Sequence, residues 1–354
     1  MGLYRIAGDD LRLDAPGKER GTRFRYGDMM ADHVDLKRKT MTAGRYIVGA
    51  YAASPGGDAE GEYFAALREA DFIEGLELQF TGVLHGDEEW LLRNLRPDWS
   101  YVLTTIGGTM LRLGRDPEFG LASESAVGRQ RALDYLGKAR QAAARLNAHF
   151  GRRNVRAVEI HSAPRGESAA GVSAEALRRS LDELRSWDWD GAELVIEHCD
   201  ALTTGHPPDK GFLPLEAEIQ AVRASAGAVP VGIGVNWGRS AIEARDAGAP
   251  ARQVALLREE KLLSGVIFSG VTVGDAHFAD WADRHAPFAE APDHGQRLLN
   301  AARLAECLAA IGGAPLGFLG LKIAMVPGEL SPAARVSELR RCAGMLDAAA
   351  GPFG

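Results

Sequence analysis

The feature that most constrains this chain is an alternation that repeats eight times after residue 45. Each short run of β-favouring apolar residues is followed by a longer stretch with helical spacing. The first four candidate strands are RYIVGAYA from Arg45, IEGLELQF from Ile73, YVLTTIG from Tyr101 and AVEIHSAP from Ala157. The second four are AELVIEHCD from Ala192, VPVGIGVNW from Val229, LSGVIFSG from Leu263 and LGFLGLKIA from Leu316. Among the intervening helices, one opens on Ser173 as N-cap with apolar spacing at Leu177, Leu181 and Leu184. Another opens on Ser331-Pro332, and LEAEIQAVRASAG closes on Gly227. A strand, a helix and the next strand pair in parallel by the crossover rule. The rival is an open doubly wound sheet, which usually carries a G-x-G-x-x-G turn after its first strand. YAASPGGDAEGEY at that position lacks it. Eight regular units favour closure, so the expected fold is a single parallel (β/α)8 barrel over residues 41–354.

The totals agree with one soluble domain. The chain has 354 residues, 46% hydrophobic and 25% charged, with a formal net charge of −7. A mildly acidic chain without a basic stripe does not suit nucleic acid. No segment reaches the roughly 20 apolar residues that span a bilayer. Cys199, Cys307 and Cys342 are too scattered for a disulfide framework, which fits reduced thiols and a cytoplasmic location. Residues 1–40 are polar and Gly/Asp/Arg-rich without sustained periodicity. They are expected to be a mobile extension or an over-extended start, with Met41 as the functional beginning.

Alternation along a barrel strand sends neighbouring side chains to the helices and to the lumen. The helix-facing set must be apolar, which fixes the phase. Leu76, Leu78 and Phe80 then face out and Glu77 and Gln79 face in; Val102, Thr104 and Ile106 face out and Thr105 in. Val158 and Ile160 face out, Glu159 and His161 in; Leu194 and Ile196 face out, Val195, Glu197 and Cys199 in. Asn236, Ser269 and Lys322 are the inward residues at the ends of the last three strands. Polar groups thus gather at the carboxyl ends of the strands, where barrel enzymes place their chemistry. A self-satisfied ion-pair network closing the barrel top is the bland alternative.

These residues carry a resemblance. VEIHSAP, LVIEHCD, KGFLPLEAEI, NWGRSAIEAR, FSG, WADRH and LGLKIA are similar to the strings of an uncharacterised bacterial family, domain of unknown function 4862. That family lies in the xylose-isomerase-like, or endonuclease-IV-like, barrel superfamily of sugar isomerases, epimerases and metal-dependent lyases. The resemblance covers most of Arg45 to Ala349 and implies that fold and a sugar or polyol substrate. Its metal pattern is mostly absent. A carboxylate at the end of the fifth strand is matched by Glu197, but Asn236 replaces the acid of the sixth, Ser269 the histidine of the seventh and Lys322 the glutamate of the eighth. Asp283-Arg284-His285 echoes the Asp-x-His element of the endonuclease-like branch.

The expected function is a sugar or polyol isomerase, epimerase or lyase working without a cofactor. Glu159, His161, Glu197 and Lys322 are the catalytic candidates: carboxylates for proton transfer, a histidine shuttle, and a lysine for an enolate oxygen or a Schiff base. Glu77, Gln79, Asn236, Trp237, Arg239, Ser269, Trp281, Asp283 and His285 are the expected substrate contacts. A relocated Mn²⁺ or Zn²⁺ site on Glu159, His161 and Glu197 is the metal-dependent alternative. A glycosidase-like hydrolase using Glu159 and Glu197, and a non-catalytic barrel that binds a sugar or a partner protein, are the rival readings. The expected partner is a small sugar or sugar acid, and a homo-oligomer is compatible with the sequence. His198 and Asp200 at the lip of the fifth strand either hold the next loop or touch substrate, and GlyGly in TTIGGTM reads as a strand-end turn.

Overall fold

The computed structural model describes residues 45–289, 297–326 and 328–351. Expectations for residues 1–40 lie outside these. Eight strands close in chain order into one all-parallel barrel: β1 Tyr46–Val48, β2 Ile73–Gln79, β3 Ser100–Thr104, β4 Val155–Ile160, β5 Glu193–His198, β6 Val231–Asn236, β7 Leu263–Phe268 and β8 Phe318–Leu321. Helices α1 Glu60–Arg68 and α2 Glu88–Asn94 follow β1 and β2; α3 Ile106–Leu113 and α4 Ala126–Phe150 follow β3. Helices α5 Ala174–Leu184 and α6 Leu215–Ala224 follow β4 and β5; α7 Trp237–Ala244 and α8 Ala249–Glu259 follow β6. The set ends with α9 Ala301–Ile311 and α10 Pro332–Ala350. No described helix is long and apolar enough to cross a membrane.

Two apolar regions hold the barrel together. Between strands and helices, Leu76, Leu103, Val158, Ile196, Ile233, Val266 and Leu321 pack against helix faces such as Leu136, Leu181 and Leu339. Each fully buried aliphatic chain contributes about 1.5–3 kcal/mol. Inside the lumen, Ile47, Val102, Ala157, Val195, Ile267 and Phe318 form a separate plug. The polar residues lie above that plug, toward the strand carboxyl ends. Ser173 caps α5 by accepting from the Ala176 N–H at 3.0 Å, and Ser331 caps α10 through the Ala334 N–H at 3.3 Å.

Three local expectations are corrected. Val102 and Thr104 face the lumen, because they pair with Glu77 and Gln79 and parallel partners share a face; Tyr101 and Leu103 take the outer face. Both phases of that strand are apolar, so alternation could not choose between them. The expected turn at Gly107-Gly108 is the first turn of α3, which starts directly after Thr105. Helix α6 ends at Ala224 with Ser225 as its cap, and Gly227 sits in the following loop at φ 144°.

Candidate active site

Four strands deliver Glu77, Glu159, Glu197 and Asn236 to the layer above the plug, and His161, Ser269 and Lys322 join them from the positions just past β4, β7 and β8, with Arg239 from α7. Glu77, Glu159 and Lys322 are 0% exposed, and Glu197 and Arg239 are 1%. Buried charges of this kind persist only when paired. Lys322 Nζ lies 2.6 Å from Glu77 Oε1 and 3.7 Å from Glu197 Oε1. Tyr51 donates its hydroxyl to Glu77 Oε1 at 3.2 Å, and its ring lies 5.5 Å from Lys322 Nζ. Arg239 Nη1 contacts Glu197 Oε2 at 2.6 Å while Nε donates to Asp283 Oδ2 at 3.0 Å. Asn236 Nδ2 donates to Glu197 Oε1 at 3.0 Å, and His161 Nε2 lies 3.0 Å from Glu197 Oε2. Glycine is required at position 49, where a Cβ would sit 2.8 Å from both Glu77 Oε2 and Lys322 Cγ.

Glu159 differs from its neighbours. Among the described residues, neither of its carboxylate oxygens has a hydrogen-bond partner, and Glu77 Oε2 also lacks one. One oxygen from each of Glu77, Glu159 and Glu197 lies within 4.8 Å of the others. Burial raises Glu159 well above the ordinary carboxylate range, and the neighbouring Glu197 and Glu77 charges push it further. Burial also opposes ionisation of Glu197, but Arg239, Lys322 and His161 outweigh it and hold that carboxyl well below the usual range. Burial raises Glu77 despite the Lys322 ammonium. Burial lowers His161, so its imidazole is neutral at neutral pH.

The loops after β5 and β7 meet beside this cluster. The Asp283 N–H donates to Asp209 Oδ2 at 2.9 Å, and Lys210 Nζ lies 3.3 Å from Asp283 Oδ2. Arg245 donates to Trp281 O and to Pro207 O, both at 3.3 Å. Asp283 therefore joins Arg239 and Lys210, with His285 Nδ1 at 3.2 Å from its Oδ1. Ser269 Oγ shares that same His285 nitrogen at 2.7 Å. Trp237 is fully buried in the outer core at the start of α7, and Trp281 packs against that core under Arg245, so neither ring lies in the polar layer. Gln79 is half-buried, with its amide abutting Gly107 in α3.

Sequence reasoning missed Tyr51, which lies beyond the first strand, and Lys210, which lies in a loop without periodicity. Asp200 holds its loop: its Oδ2 accepts from the Asp209 and Lys210 N–H groups at 2.7 and 2.8 Å. His198 faces the helices, with Nδ1 on Glu218 and Nε2 on Glu243, each at 2.8 Å. Two carboxylates at the two ring nitrogens favour an imidazolium. Although burial opposes the charge, Glu218 and Glu243 push His198 up to about 10.

A closed parallel barrel with its polar residues at one mouth is the architecture of the xylose-isomerase-like fold. The family model "Domain of unknown function (DUF4862)" matches residues 47–338, and the chain belongs to that family. An uncharacterized protein of Salmonella typhimurium (strain LT2) is 34% identical over 303 residues, covering 83% of this chain and 94% of the relative. Among solved structures, a D-tagatose 3-epimerase-like protein is similar at 14% identity and a TM-score of 0.53, covering 86% of this chain and 98% of its own. The IOLI protein with a binding zinc atom has a TM-score of 0.55 at 10% identity, with coverages of 86% and 98%. A putative xylose isomerase from Rhodospirillum rubrum has a TM-score of 0.55 at 11% identity, with coverages of 87% and 99%. At these identities the likeness is one of fold.

Proposed function

We propose that this chain is a carbohydrate-active isomerase or epimerase that moves a proton beside a carbonyl, using carboxylates and fixed cations in place of a divalent metal. The observation that carries the reading is Glu159. A fully buried carboxyl with no partner on either oxygen, held in its protonated form next to an ionised Glu197, is a proton donor awaiting an acceptor. Glu77 differs from Glu159 in its ion pair with the Lys322 ammonium at 2.6 Å, which favours its ionised form, and with Oε2 unpartnered among the described residues it is the base. It takes the proton from the carbon beside a carbonyl, and the carbonyl oxygen becomes an enediolate oxygen. Glu159 then either returns a proton to the same carbon, which re-forms the carbonyl, or protonates the former carbonyl carbon while the hydroxyl on the first carbon passes its proton to the enediolate oxygen and becomes the new carbonyl. Glu77 leaves protonated and Glu159 ionised, and exchange with solvent restores both. The Lys322 ammonium stabilises the enediolate oxygen. Glu197 serves as an anchor, since Arg239, Lys322, His161 and Asn236 engage both its oxygens.

The donor set does not fit the superfamily's usual divalent ion. Asn236, Ser269 and Lys322 occupy the ends of β6, β7 and β8, and an ammonium there repels a dication. A relocated ion on Glu159, His161 and Glu197 fits poorly as well, because His161 turns Nε2 to Glu197 and Nδ1 to Thr105 Oγ1. For the hydrolase reading, carboxylate oxygens within 4.8 Å oppose the roughly 6.5–9.5 Å spacing of an inverting glycosidase but stand near the roughly 5–5.5 Å of a retaining one, so hydrolysis is the rival outcome that the experiment below must separate.

The test is NMR detection of solvent deuterium entering carbon-bound positions across a panel of aldoses, ketoses, uronates and aldonates. The expectation is exchange into at least one sugar or sugar acid, lost in Glu159→Gln. Absence of exchange across the panel, with hydrolysis of an aryl glycoside instead, would sink the reading.

A further inference from the structure

Asp283 is a loop residue whose carboxylate reaches into the cation network. Its side chain is 4% exposed, and its Oδ2 lies 3.0 Å from Arg239 Nε and 3.3 Å from Lys210 Nζ. The two cations come from different places: Arg239 is fixed in α7 and contacts Glu197, whereas Lys210 belongs to the loop after β5. Asp283 is carried by a third segment, the loop after β7, and is bracketed by Trp281 at φ 48° and His285 at φ 56°. Two non-glycine residues in left-handed backbone store strain of the kind found at segments that switch.

The polar layer is at most 3% exposed at any of its residues, too little for a sugar to reach it unless a covering segment moves. The latch between the two loops is the Asp209–Lys210–Asp283 group. Lifting the β7 loop withdraws one carboxylate from Arg239 and leaves a buried guanidinium short of an anion, which is costly. A neutral sugar does not repair that loss; a ligand carboxylate does, through the same charge-assisted contacts.

We propose that Arg239 and Lys210 form the subsite for a substrate carboxylate, with Asp283 occupying it as an internal stand-in while the loops are closed. The substrate class is then a sugar acid that also carries a carbonyl, such as a uronate, bound with its carboxylate toward α7 and its carbonyl end along the Glu77/Glu159 layer. This deepens the proton-transfer reading and rests on it for the identity of the site. Lys210 becomes a specificity-determining residue, and Asp283 a competitor of the substrate that is displaced on binding.

Chemical rescue tests the subsite without knowledge of the sugar. Asp283→Ala is melted in sodium acetate and in sodium chloride at matched ionic strength. Acetate is expected to raise its Tm well above chloride and to leave the native protein unchanged. Equal melting in the two salts overturns the proposal. The second arm measures binding to native protein of matched pairs (D-gluconate with D-glucitol, D-glucuronate with D-glucose, D-galacturonate with D-galactose). The acid of at least one pair is expected to bind at least about tenfold tighter, and Lys210→Met to remove most of that preference. Neutral partners binding as well as acids, Lys210→Met weakening both alike, or no acid binding at all would each overturn it. These outcomes separate from the reaction: acids that bind without deuterium exchange uphold the subsite and sink proton transfer, and exchange into neutral sugars with no acid preference does the reverse.

Discussion

Glu159 and Glu197 are the same functional group near the same end of adjacent strands, yet their partners set opposite protonation states. Glu197 has both oxygens engaged by Arg239, His161, Asn236 and Lys322, and stays ionised. Glu159 has no partner and keeps its proton. The consequence for stability has a definite sign. Above the ordinary carboxylate value of 4.5 the unfolded chain releases this proton while the folded chain retains it. The folded state binds more protons over that window, so stability falls as pH rises through it. Glu159→Gln removes the contribution. Its Tm is expected to exceed that of the native protein near pH 8 and to match it below pH 4.5, measured by thermal melts across pH. The same variant should lower turnover by at least about 100-fold, the usual scale of general acid–base catalysis.

At the scale of elements, His198 binds β5 to two helices at once, through Glu218 of α6 and Glu243 of α7. Ser162 donates a further hydrogen bond to Glu218 Oε1, and the Ala201 N–H donates to Glu243 Oε2. The clamp fixes the base of the loop that carries Asp209 and Lys210. With its folded pKa raised to about 10, His198 contributes stability that is full below its ordinary value of 6.5 and is lost as pH rises through about 10. Breaking a buried charged network by removing one member costs about 3–5 kcal/mol. His198→Gln is therefore expected to destabilise by about 3 kcal/mol at pH 7 in urea denaturation. It should also flatten the loss of stability between pH 7 and 10. An unchanged slope over that range would show that His198 is neutral.

The whole molecule depends on the pairing of its last strand with its first. Ile47 and Val48 pair with Gly320 and Leu321, and this contact converts eight units into a barrel with one mouth. Gly320 has no room for a side chain: a Cβ there would sit 2.3 Å from the Ile47 carbonyl oxygen and 2.7 Å from Ile267 Cδ1. Overpacking at such a site costs about 1–3 kcal/mol or more. Gly320→Ala should lower the Tm by several degrees and loosen closure, read as faster amide exchange in the β1 and β8 peptides relative to β4 and β5. Uniform exchange across the four strands would contradict closure as the weak point. Lys322 lies two residues beyond Gly320, so the same strand that closes the barrel delivers the site's central cation.

Periodicity by itself determined the barrel, because each apolar run has one economical place to be buried and eight such units leave no edge to protect. It also placed most of the inward polar layer: Glu77, Glu159, Glu197, Asn236, Ser269 and Lys322 follow from a side-chain period of two applied to strands with one apolar face. The third strand defeated that logic, since Tyr101 and Leu103 are as apolar as Val102; only register with Glu77 and Ala157 settled its phase. Lys210 was invisible for a different reason, since loop residues have no period. Tyr51 lay inside the expected first strand and was missed because the strand ends at Val48 and a short 3-10 turn over Ala50–Ala53 carries the ring to Glu77. Whether a carboxylate is an acid or an anchor was likewise beyond the sequence. Glu159 and Glu197 read alike as letters, and only the tertiary structure brought Arg239, His161 and Lys322 to one and left the other without a partner.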